Sequence, residues 1–181
     1  MKEKSKMMEM NKRSIYIDMD GVVADFEKFA SNYLGRKIGW GELDITSEEW
    51  QKLSEVDHLY YNLDLIPEST TVVALCKSFS TRFNVSFLTA IPREQSMPTA
   101  KDDKTNWLNK YFPGMLINFG PFSRDKQNWC MPGDILIDDK PENVEQWVAK
   151  KGVAVHHTGS FNRTIQNILS AIDDETPRLL T

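Results

Sequence analysis

Two carboxylates stand two residues apart in Asp18-Met19-Asp20, directly behind the short apolar run Ser14-Ile15-Tyr16-Ile17. On an extended segment, side chains at i and i+2 point to the same side. At the carboxyl end of a strand, where open α/β sheets place their ligands, such a pair faces a binding crevice. Unpaired acids in that position repel each other and are costly to desolvate. A divalent cation between them removes the objection. Gly21 follows, and a glycine lets the backbone turn sharply and approach a ligand closely. A second acidic pair, Asp138-Asp139, ends the apolar run Ile135-Leu136-Ile137. Thr89 ends another run, and Lys126 lies in Ser123-Arg124-Asp125-Lys126. Three carboxylates suit Mg²⁺, which takes oxygen donors at roughly 2.0–2.1 Å and keeps several waters. A threonine hydroxyl and a lysine ammonium suit phosphate oxygens. The chemistry these residue types point to is metal-assisted handling of a phosphate group.

Those residues need a sheet to bring them together, since they span more than a hundred positions. The pattern predicts strands at 14–18, 84–89, 115–119, 134–139 and 153–156. Between and after them, apolar residues recur at helical spacing over 69–79, 102–111, 141–151 and 161–172. Pro141 stands at a favourable first-turn position and Gly152 follows the end of that helix. Strands alternating with helices predict a parallel sheet with right-handed crossovers, whose carboxyl ends converge. Residues 26–67 break the alternation, with helical patterns at 26–34 and 47–53. Thr46-Ser47-Glu48-Glu49 reads as a capping sequence before the second of these. The expected architecture is α/β: a Rossmann-like core (14–25 and 68–172) with a small helical cap (26–67) inserted after the first strand. The segments 1–13 and 173–181 read as flexible tails.

Composition narrows the class. With 40% hydrophobic and 27% charged residues, the 181-residue chain has the make-up of an ordinary globular domain. A net charge of −4 and a pI near 5.4 speak against a surface that coats a nucleic-acid polymer. A small anionic substrate is still compatible, because local metal and lysine charge outweighs a weak global field. No apolar run is long enough to cross a membrane. Cys76 and Cys130 form neither a metal-ligand pattern nor a disulfide framework, which suits reduced thiols in a cytoplasm.

The first motif, DMDGVVAD, together with Thr89, Lys126 and the IDD at 137–139, resembles the haloacid dehalogenase (HAD) superfamily. More closely, DMDGVVADFE, LDLIP, LTAIP, SRDK and ILIDDKPENV resemble the 5′(3′)-deoxyribonucleotidase family. The resemblance implies a Mg²⁺-dependent phosphatase acting on small nucleoside monophosphates, with no membrane partner. A homodimer is left open. By this resemblance Asp18 is the nucleophile that takes the phosphoryl group. Asp20 protonates the leaving oxygen and later deprotonates the attacking water, and its backbone carbonyl reaches the metal. Asp18 also binds the metal, and Asp139 is its third protein ligand, with Asp138 in support. Thr89, the Ala90 amide and Lys126 bind the phosphate. Phe26, and with it Tyr61, stand against the nucleoside, and Ile45, Thr46 and Tyr60 are further candidates to line the base pocket.

Each residue also has a plainer reading. Taken alone, Thr89 is equally a strand or cap residue, and Lys126 a solvated surface lysine; only their company changes this. Asp25 reads as a structural cap, Tyr60 as cap packing, and His156 and His157 as sheet-end packing. Trp40, Trp50, Trp107, Trp129 and Trp147 read as hydrophobic packing. Two other functions compete with a nucleotidase. One is a general phosphatase of small monoesters. The other is a nucleotide-binding protein without catalysis, against which the intact acids argue.

Overall fold

The computed structural model describes residues 12–39, 45–120 and 122–181. Strands β1 (Arg13–Ile17), β2 (Phe83–Ala90), β3 (Leu116–Gly120), β4 (Ile135–Asp138), β5 (Val153–His156) and β6 (Arg178–Leu180) form a single six-stranded sheet. Its order is β3-β2-β1-β4-β5-β6, and every pairing is parallel. The helices are α1 (Phe26–Leu34), α2 (Ser47–Ser54), α3 (Ser69–Ser78), α4 (Ala100–Tyr111), α5 (Pro141–Ala149) and α6 (Phe161–Asp173). Short 3-10 turns lie at Leu59–Asn62 and Ser123–Trp129. This is the expected α/β architecture, with a parallel sheet flanked by helices.

The central strands are apolar on both faces, as a parallel sheet covered on both sides requires. Ile15 and Ile17 of β1 join the larger core, with Phe87, Ile135, Ile137, Val153 and Val155. Tyr16 points the other way, with Leu88, Leu136 and Ala154, and is covered by Val144 and Trp147 of α5. β1 pairs with β2 on one side and β4 on the other, Ile17 lying opposite both Phe87 and Ile137. The strand order therefore reverses at β1, the switch point where open α/β sheets open a crevice. The loop after β1 continues the register, Asp18 donating its backbone N–H to the carbonyl of Ile137 at 2.9 Å.

After β1 come α1, α2 and the turn at Leu59–Asn62, where the alternation breaks. Asp25 caps α1, its carboxylate accepting from the amide of Lys28 at 3.1 Å. The capping box before α2 is present. The Thr46 hydroxyl accepts from the Glu49 amide at 3.2 Å, and the Glu49 carboxylate accepts from the Thr46 amide at 2.9 Å. The Glu49 carboxylate also takes a bidentate contact from Arg36, at 2.6 and 2.8 Å. That contact is the main reason its pKa is lowered to about 2. Trp40 lies outside the described residues.

Both tails differ from expectation at their inner ends. Residues 1–11 lie outside the described chain, but β1 already begins at Arg13. The Arg13 guanidinium donates to the carbonyl of Gly133 at 2.7 Å and stacks on Phe83. At the other end, α6 runs to Asp173 and Arg178–Leu180 add β6 beside β5. The reason is topological. β5 would otherwise expose an edge of unpaired N–H and C=O groups, which the returning chain covers.

Candidate active site

Strand ends assemble the site. Asp18 and Asp20 follow β1, Thr89 and Ala90 end β2, and Asp138 ends β4 with Asp139 just beyond. The turn after β3 delivers Lys126. A cavity of about 710 Å³ opens over them, with Asp18, Asp20, Ala90, Lys126 and Asp139 on its wall. The sequence-predicted acids and lysine are thus brought together.

Gly21 makes the arrangement possible. It adopts φ +72°, and a Cβ there would lie 2.1 Å from Asp139 Oδ2 and 3.0 Å from Glu27 Oε1. No side chain fits between the two acidic segments. Lys126 lies at the centre, almost fully buried, its Nζ 2.7 Å from Asp18 Oδ1 and 2.7 Å from Asp138 Oδ2. Asp18 Oδ1 also accepts from the Met19 amide at 2.7 Å. Asp138 is saturated. Its oxygens accept from Lys126, the Lys140 amide and Asn143 Nδ2, so it anchors Lys126 and is poorly placed to bind a metal as well. Asp139 is held from behind, its backbone carbonyl 3.0 Å from His156 Nε2.

The electrostatics leave the site short of positive charge. Burial pushes Asp18 up to about 7 against the pull of Lys126. Burial, then Asp138 and Asp18, push Asp139 well above the carboxylate range. Burial pushes Glu27, in hydrogen-bonding contact with Asp139, up to about 7. For Lys126 burial works downward, but Asp138 and Asp18 overcome it and hold the ammonium charged. Oxygens Asp20 Oδ1 and Glu27 Oε2 are buried without a hydrogen-bond partner among the described residues. Ligand oxygens of Asp18, Asp138 and Asp139 come within 4.8 Å of one another, and with Asp138 taken up by Lys126, Lys140 and Asn143, Asp18 and Asp139 are the two left to hold a cation. An all-oxygen donor set with surplus negative charge and orphaned oxygens fits a hard divalent cation.

Other expected residues fall elsewhere. Thr89 is fully buried, and its hydroxyl accepts from Lys104 Nζ at 3.0 Å. Phe26 is 2% exposed and stacks between Trp50 (5.8 Å between centroids) and Tyr60 (6.2 Å), while those two rings reach the cavity wall. Tyr61 is 42% exposed and turns away. It lines a separate cavity with His58, Thr99 and Asp103, and Lys110 Nζ lies 5.5 Å from its ring. Of the two neighbouring tyrosines, Tyr60 is the one that lines the cavity over the acids.

Sequence reasoning missed Lys104, Glu27 and Trp50. Lys104 had a signal. The buried stripe of α4 runs Ala100, Asp103, Lys104, Trp107, Leu108, so a charged pair interrupts an apolar face at helical spacing. Glu27 falls in the first turn of α1, where an acid is also favoured by the helix dipole, which masked it.

The parallel α/β fold and the family match together make the protein a phosphoric monoester hydrolase. Residues 12–174 match the family described as 5′ nucleotidase, deoxy (pyrimidine), cytosolic type C, and the chain belongs to that family. A 5′(3′)-deoxyribonucleotidase of Clostridium acetobutylicum is 27% identical over 143 residues, covering 78% of this chain and 67% of that protein. A Staphylococcus epidermidis protein, provisionally named 5′(3′)-deoxyribonucleotidase, is 27% identical over 166 residues, covering 84% and 87%. A solved HAD hydrolase of Entamoeba histolytica aligns at 10% identity and TM-score 0.44, over 90% of this chain and 100% of its own.

Proposed function

We propose that the protein hydrolyses deoxyribonucleoside monophosphates through a phosphorylated Asp18, with Mg²⁺, in a cytoplasmic setting that its two free cysteines suit. The observation that carries this reading is the Lys126 ammonium, 2.7 Å from Asp18 Oδ1 and anchored by Asp138 at the floor of a cavity. A cation so held beside a nucleophilic carboxylate lessens the repulsion between that carboxylate and a phosphate dianion.

Every hydrogen bond described for the Asp18 carboxylate falls on Oδ1, which leaves Oδ2 for attack on phosphorus. In the first step the Asp18 Oδ2–P bond forms, the P–O bond to the nucleoside breaks, and Asp20 gives its proton to the departing oxygen. In the second, water attacks the same phosphorus while Asp20 takes its proton. The Asp18–P bond breaks and inorganic phosphate leaves. Splitting one difficult hydrolysis in two lowers each barrier. Asp18, Asp139 and the Asp20 carbonyl would hold Mg²⁺, which supplies charge neutralisation between the two anions. Ala90 and Lys126 on the cavity wall would bind the phosphate, and buried Thr89 supports them through Lys104. Trp50, Tyr60, Ile91 and Pro92 give the cavity an apolar side suited to a nucleoside. Phe26 backs the two aromatic rings.

The test is phosphate release from deoxyribonucleotides, ribonucleotides and sugar phosphates, with Mg²⁺ and with excess chelator. Fastest release from deoxyribonucleotides, abolished by chelator and restored by Mg²⁺, is expected. Faster release from sugar phosphates would leave a general phosphatase, and activity in excess chelator would remove the metal.

A further inference from the structure

Lys104 is the second lysine of the site, and the mechanism above gives it only a supporting contact. Its side chain is 1% exposed, in the middle of the apolar stripe of α4. Burying an ammonium is costly unless every proton finds an acceptor. Here the acceptors are Asp20 Oδ2, Thr89 Oγ1 at 3.0 Å and the Ala90 carbonyl at 2.7 Å. The Tyr60 ring covers the ammonium at 4.3 Å. An ammonium has three protons, so the set is complete. Two of the acceptors belong to β2 and therefore fix Lys104 to the sheet. The third is the acid-base carboxylate itself. The other oxygen of that carboxylate, Asp20 Oδ1, is buried and has no hydrogen-bond partner among the described residues.

We infer that Lys104 is a positioning residue. It clamps Asp20 Oδ2 against the end of β2, so that the carboxylate cannot rotate away from the scissile oxygen. The inference rests on the reading of Asp20 as the group that protonates the leaving oxygen. Proton transfer to a leaving group is effective only at hydrogen-bond range and in line with that oxygen. A carboxylate free to turn on its own axis would spend much of its time out of line. Tyr60 makes the clamp part of the junction between cap segment and sheet, because its ring covers the ammonium and also walls the cavity.

A clamp on the proton donor has a signature that plain structural support lacks. A nucleoside oxygen leaves poorly without a proton, whereas p-nitrophenolate leaves without one. The experiment compares kcat/KM for a deoxyribonucleoside monophosphate and for p-nitrophenyl phosphate in the Mg²⁺-loaded enzyme, since kcat/KM reports on the step in which the leaving group departs. Lys104→Met keeps the length of the side chain and removes the clamp. It should lower the nucleotide value by about a hundredfold, the lower range of general-acid catalysis, and the aryl value by less than about tenfold. Lys104→Gln, which keeps a polar head, gives the same comparison should the Met variant not fold. Equal falls on both substrates in a folded variant overturn the clamp and leave Lys104 as structural support. A wild-type enzyme that releases phosphate from neither substrate overturns the hydrolytic reading itself, and the clamp with it.

Discussion

On the proposed mechanism Asp18 sits between opposing demands: it must stay reactive while buried among Asp20, Asp138 and Asp139. Lys126 balances these charges only in part. Asp18→Asn keeps the shape, and Asp138 still holds Lys126, so the variant should fold. It should lose activity by about a thousandfold or more, because the amide is no nucleophile. Wild-type-like turnover in a pure preparation would end the covalent mechanism. Gly21 gives a second test at this scale. An alanine at its φ of +72° costs about 1–3 kcal/mol in backbone strain alone, and its Cβ would collide with Asp139 Oδ2. Gly21→Ala should therefore lower the melting temperature and weaken Mg²⁺ binding together, by calorimetry on the purified protein. A variant that melts lower but binds Mg²⁺ as tightly would mean that Asp139 is not part of the metal site.

Among the elements, α4 ties residues 57–63 to the sheet. Trp107 Nε1 donates to the Leu63 carbonyl at 2.8 Å, Lys104 lies under Tyr60, and His58 Nδ1 contacts Asp103 Oδ1 at 2.7 Å. His58 also lies 3.7 Å from Asp57. The Asp103 hydrogen bond, then Asp57, raise the His58 pKa above its ordinary value of 6.5. A raised histidine pKa means that the folded state holds the proton more tightly than the unfolded chain. The contribution is fully present below about pH 6.5 and is lost as pH rises through the folded value. NMR titration should find the His58 midpoint above 6.5 and lower it in Asp103→Asn; an unchanged midpoint would mean the contact is not made in solution. α2 contributes Trp50, on the apolar side of the cavity. Trp50→Ala should weaken use of nucleotides far more than use of p-nitrophenyl phosphate, read as a rise in KM, because the phosphate-binding groups stay intact. Equal loss on both would place the nucleoside elsewhere.

For the whole molecule, a net charge of −4 does not favour an anionic substrate, so capture depends on local cations at one end of the sheet. An apolar wall also bears on sugar choice. A ribose 2′-hydroxyl buried there without a partner costs free energy, but such pockets reject an added hydroxyl by only about a hundredfold. Deoxyribonucleotides should be preferred within that limit, and equal or faster hydrolysis of ribonucleotides would remove the deoxyribonucleotidase reading. The sequence by itself determined the parallel sheet and the acids at its strand ends, because both are written locally. Apolar runs of strand length are followed at once by Asp18 and Asp20, and by Asp138 and Asp139, and a parallel topology makes those ends converge. The capping box at Thr46 and the Asp25 cap were legible for the same reason, each lying within one helical turn. Tertiary structure alone decided which side chains complete the site. Tyr60 and Tyr61 are neighbours on a 3-10 turn, about 120° apart, and only the docking of that turn on α4 sends Tyr60 inward and Tyr61 out. β6 is three residues long, too short for a pattern, and exists because β5 offers it an edge. Lys104 and Glu27 are charged residues of the kind found on solvated faces. Their burial was settled by which helix face packs over the strand ends, a relation between distant segments that no local pattern records.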